Sequence, residues 1–86
     1  MSLIKEIFNS IPGVIVVDEH EEGVSIICED GPVSTDKQSL VEHFEKNGVK
    51  TRVLDTALFV DCSLPIDHIK EVVESYKQTH LFYHPV

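Results

Sequence analysis

The sequence predicts an α+β domain: a duplicated helix-hairpin unit in the order α-ββ-α-ββ-α, folded as a four-stranded antiparallel sheet with its helices packed on one face. Three observations lead there. Apolar residues recur at helical period in three stretches. Two pairs of short, β-branched runs stand between them, bounded by Gly, Pro, Asn and Asp. The two halves also follow one another in outline, each passing from a helix through glycine (Gly13, Gly48) to a first strand and then to a second strand ending in cysteine (Cys28, Cys62).

The opening stretch places Leu3, Ile4, Ile7, Phe8 and Ile11 on one helical face, so a first helix runs from about Ser2 to Ser10 and stops at Pro12-Gly13. Val14 to Val17 and Val24 to Cys28 form a hairpin with a charged tip, Asp18-Glu19-His20-Glu21-Glu22-Gly23. Gly31-Pro32 ends it. Thr35 and Gln38 have the capping-box spacing that starts a second helix, whose apolar face carries Leu40, Val41 and Phe44 and whose end has Asn47-Gly48 as a left-handed cap.

Val49-Lys50-Thr51-Arg52-Val53 alternates strictly, which predicts one buried and one wet face, and Ala57 to Cys62 returns after Asp55-Thr56 as a second hairpin. Pro65 suits the first turn of a third helix, where its missing N–H costs nothing, and Ile66, Ile69, Val72, Val73 and Tyr76 mark the buried face. Ile15, Val17, Val53 and Val60 are the expected sheet partners of these helices.

Residues 1–86 thus read as one domain: a first unit over about 2–30, a second over about 35–62, a closing helix over about 65–78 and a tail over 79–86. The tail holds Leu81, Phe82 and Tyr83, too apolar for a free solvated end, and is expected to pack on the sheet edge or to form a homodimer contact. The order α-ββ-α-ββ-α resembles that of small acidic secretion chaperones, a likeness of fold that assigns no residue.

Charge is the most informative part of the composition. The chain carries a net charge of −8. Residues 1–36 hold one base, Lys5, against eight acids, a balance of −7, whereas residues 37–86 hold six bases against seven acids, a balance of −1. Such a surface repels nucleic acid and anionic membranes, which bind through Lys and Arg clusters. No apolar run approaches the ~20 residues that cross a bilayer, and the start lacks a secretory layout, so a cytoplasmic location is expected.

Several constellations could carry chemistry, and each has a simpler structural reading. Asp18, Gly23 and Glu29 stand at positions 1, 6 and 12 of a calcium loop, but His20 and Glu22 occupy ligand positions 3 and 5, and strands flank the segment where that motif needs helices. His80 and His84 have the spacing of two zinc ligands on one helical face, without a glutamate between them or an obvious third ligand. Cys28 and Cys62 lie far apart, outside any CxxC pair, and read as reduced, buried thiols. Asp67, Lys70, Glu71, Glu74 and Lys77 make a solvated helix face laced with ion pairs. Phosphate-cradling and nucleophile-elbow motifs are missing, so no catalytic residue, cofactor or metal ligand is assigned.

These readings favour a small, acidic, non-enzymatic regulator, inhibitor or adaptor. Its partner-binding residues would be Asp18, Glu19, Glu21, Glu22, Glu29 and Asp30, facing a basic protein surface. A nucleic-acid mimic is the extreme version. The alternative is a metal- or redox-binding protein using His80, His84, Cys28, Cys62 or the acidic tip. A third class is a small enzyme or ligand-binding subunit with its site between protomers.

Overall fold

A computed structural model describes residues 2–29 and 36–80. The element order is α1 (Leu3–Asn9), β1 (Val14–Glu19), β2 (Gly23–Cys28), α2 (Lys37–Lys46), β3 (Thr51–Leu54), β4 (Ala57–Asp61) and α3 (Ile66–His80). The four strands form one antiparallel sheet in the order β1-β2-β4-β3. The second strands of the two hairpins therefore pair at its centre, and the first strands lie at its edges.

Local chemistry sets the helix ends. The Ser2 hydroxyl caps α1 by accepting from the Lys5 N–H at 3.3 Å. At α2 the cap is Asp36, whose carboxylate accepts from the Ser39 N–H at 3.3 Å. The N-cap is therefore Asp36, one residue after the position that the Thr35–Gln38 spacing predicts, and the Ser39 hydroxyl donates to the Asp36 carbonyl instead of closing a reciprocal box. Asp36 supplies the stronger acceptor and suits the positive end of the helix. Gly48, with φ 83°, takes the left-handed position after α2. Pro65 precedes α3, and its carbonyl accepts from the His68 and Ile69 N–H groups at 3.0 and 3.2 Å. That helix runs on to His80, two residues past the expected end.

The core joins Ile7, Phe8 and Ile11 to Leu40 and Phe44, to Ile69, Val72, Val73 and Tyr76, and to Val14, Val16, Val24, Ile26, Leu58 and Val60 of the strands. Phe8 and Phe44 meet edge to face at 6.0 Å between ring centroids.

Several expected core positions fall outside it. In β1 the buried residues are Val14 and Val16, while Ile15 and Val17 are exposed. The run Val14-Ile15-Val16-Val17 has no alternation to fix its parity, so strand pairing decides which face turns inward. Val53 pairs with buried Leu58 and shares its face, but it is 56% exposed because β3 is an edge strand, with no neighbour on its outer side among the described residues. Leu3, at 54% exposed, lies just off the stripe made by Ile4, Ile7, Phe8 and Ile11, and Ile66 sits at the open start of α3.

No described helix is long and apolar enough to cross a membrane. Asp30 and the tail residues Leu81, Phe82 and Tyr83 lie outside the described residues, as does His84.

Candidate functional site

The acidic tip is built by the end of β1 and the turn into β2. The His20 N–H donates to the Gly23 carbonyl at 2.8 Å, closing the turn, and the Cys62 N–H donates to the Glu22 carbonyl at 2.8 Å, tying the turn to the end of β4. Asp18, Glu19, Glu21 and Glu22 are all exposed there. Among the described residues, no lysine or arginine forms an ion pair with any of them.

Glu29 is exposed at the opposite end of β2, where its N–H donates to the Gly13 carbonyl at 2.7 Å. The six-residue strand between sets it about 20 Å from the tip at ~3.3 Å per residue. Four of the six acids picked from the sequence therefore stand together, and Glu29 stands apart.

A β-bulge decides where Asp18 points. Val16 pairs with Ile26, but the next registered pair is Asp18 with Ser25, so Val17 is the extra residue. Regular alternation would have put Asp18 on the buried face. The bulge instead turns it to the other face, opposite Ser25 and on the side of the sheet that carries Phe59 and Arg52. Those four residues form one cross-strand row over the whole width of the sheet, with an acid at one edge and a base at the other.

Around this row lies a shallow trough of about 590 Å³ lined by Val17, Asp18, His20, Glu22, Ser25, Arg52, Leu54 and Phe59. Phe59 forms its floor. The Arg52 guanidinium stands 5.9 Å from the ring centroid and the His20 ring 5.8 Å, tilted by 55°. Gly23 leaves room for the phenyl ring, since a Cβ there would run into Phe59 and the Val60 carbonyl. Sequence reading missed Ser25, Arg52 and Phe59. The available signal was Phe59, an aromatic residue out of phase with Leu58 and Val60 in the same strand.

Asp18, His20 and Ser25 invite comparison with a serine nucleophile relay. His20 Nε2 lies 3.1 Å from Ser25 Oγ and 3.8 Å from Asp18 Oδ2. A relay needs the acid on one ring nitrogen and the hydroxyl on the other, so that the imidazole can take the hydroxyl proton while the acid orients it. Here one nitrogen faces both partners, which is the geometry of a positioning contact.

A second aromatic group joins α2 to α3. His43 Nε2 donates to the Val72 carbonyl at 3.1 Å, His80 stacks on Tyr76 at 4.5 Å, and the two histidine rings lie 5.8 Å apart. Burial holds the His43 pKa below its ordinary value against the raising effect of its Val72 hydrogen bond, and His80 and Lys46 lower it further. Among the described residues, no three His, Cys, Asp or Glu side chains converge to hold a metal ion. Cys28 and Cys62 are half-buried free thiols. Burial pushes the Cys62 thiol up to about 11, with Asp61 adding to the effect.

No family model, curated protein or solved structure matches the chain.

Proposed function

We propose that the chain is a small cytoplasmic protein-binding module, an adaptor or inhibitor, that presents the acidic end of its first hairpin to a basic surface on a partner protein. The observation that carries this reading is the exposed group Asp18, Glu19, Glu21 and Glu22, gathered at one end of the sheet without a lysine or arginine partner among the described residues. Unneutralised acids of this kind attract and orient a basic partner. In this reading the fold is two copies of a helix-hairpin unit with all helices on the face of Val16, Ile26 and Leu58, and the Phe59 face is left for contacts.

The separation of Glu29 from the tip favours a compact basic patch over a groove built for a duplex. Clusters about 20 Å apart act independently when screening extends over about 8 Å, unlike the continuous charge of nucleic acid.

The test is affinity capture from a lysate of the source cells at low and high salt. The bait is either the native chain or a variant carrying D18N, E19Q, E21Q and E22Q. A basic protein held by the native chain, released as salt rises and lost with the variant supports the reading. Partners held equally by both baits overturn it.

A further inference from the structure

We infer that the Phe59 face of the sheet is a self-complementary surface that takes a second copy of this chain, related by a two-fold axis running parallel to the strands. The inference goes beyond the proposed partner binding, because it concerns the isolated chain and the Phe59 face, with Asp18 common to both contacts.

The strand register shows why. The charged row across the face reads Asp18, Ser25, Phe59, Arg52. The row beside it is apolar. Ile15 pairs with Ile27, the β2–β4 register places Ala57 opposite Ile27 one step beyond the Ile26–Leu58 pair, and Ala57 pairs with Leu54. Ile15 and Leu54 are 39% and 40% exposed, so both edges of that row leave apolar surface in water.

A two-fold axis parallel to the strands reverses left and right and keeps each row level with itself. Asp18 at one edge then faces Arg52 of the second copy, twice over. Ile15 meets Leu54. In the central strands Ala57 faces Ile27, a small residue against a large one, and Phe59 meets the His20 ring that covers Ser25 in the second copy. Extended toward one another, an aspartate and an arginine together span about the 10 Å between packed sheets. The other in-plane axis, perpendicular to the strands, would set Asp18 on Asp18 and Arg52 on Arg52, and like charges destabilise such pairs. Charge and size therefore select one symmetry.

Arg52 lies over the Phe59 ring but has no carboxylate within ion-pairing distance among the described residues, so its charge is free of an ionic partner there. Four strands at ~4.8 Å and about six residues at ~3.3 Å give a contact face about 20 Å on a side, or about 400 Å² per copy, which is below the size of stable interfaces and in the range of weak, transient ones. The pair should accordingly dissociate in the micromolar range.

The experiment is sedimentation equilibrium of the full chain from 1 µM to 1 mM, with circular dichroism confirming that each variant folds. Asp18 and Arg52 are both exposed, so reversing either charge leaves the core alone. The native chain should dimerise, and D18R and R52D should each weaken the dimer by at least tenfold. An equimolar mixture of the two variants should restore it, because each then meets an opposite charge at both contacts.

A native chain that stays monomeric throughout overturns the inference. So does a dimer indifferent to both reversals, or a mixture that associates no better than either variant alone. A dimer lost only when the chain is ended at Gln78 would assign the interface to the tail and overturn it equally.

Discussion

The hydroxyl of Tyr76 lies 2.7 Å from Ser39 Oγ, joining the middle of α3 to the first turn of α2. The Tyr76 ring is otherwise fully buried, so this contact satisfies a polar group that would be costly to leave unpaired. Ser39 also donates to the Asp36 carbonyl at 2.9 Å and receives the Asp36 cap on its own N–H, so the bond ties core packing to the start of a helix.

Y76F should therefore destabilise the protein by about 1 kcal/mol, and S39A by a similar amount. For a domain of this size that lowers the melting temperature by roughly 4–8 °C. In a double-mutant cycle the two effects should fall short of additivity, since both substitutions remove the same bond.

Gly23 gives a steeper result. A methyl group there collides with the Val60 carbonyl and the rim of Phe59 in the central strand pair. G23A should cost about 1–3 kcal/mol in urea unfolding, as overpacking does, and should disturb the Phe59 ring resonances.

Acidification should weaken the fold through His43. Its folded-state pKa lies below the ordinary 6.5, chiefly through burial, so between those two values the unfolded chain binds more protons. The contribution is fully present above 6.5 and is lost as pH falls through the folded pKa. H43Q should flatten the decline in stability between pH 7 and pH 5. An unchanged slope would show that His43 does not carry it.

Both cysteines should react slowly. Burial raises Cys28 as well as Cys62, so little thiolate exists near pH 8. Labelling with a disulfide reagent at that pH should run at least tenfold faster in urea than in buffer.

Much of the fold was legible because helices and turns announce themselves locally. The Ile7–Phe8 and Val72–Val73 stripes, Gly48 after α2 and the Asp55-Thr56 turn needed only short windows. The faces of the strands did not. Val14 to Val17 is apolar throughout, and only pairing with β2, bulge included, separates buried Val16 from exposed Val17. The acids of the tip were readable from composition. The row that joins Asp18 to Arg52 was not, because its members come from four strands and depend on three registers.

The central place of β2 and β4 also sets how the chain can fold. Each hairpin closes over a short turn, on a timescale of microseconds, and gains its contacts early. The Ile26–Leu58 pairing must wait until the chain spanning α2 and β3 has been drawn in, which carries a loop-closure entropy the hairpins do not. Joining the two halves across that central seam is therefore the expected rate-limiting event. Substitutions at Ile26 and Leu58 should slow folding more than substitutions of comparable cost at Val14 or Ile69.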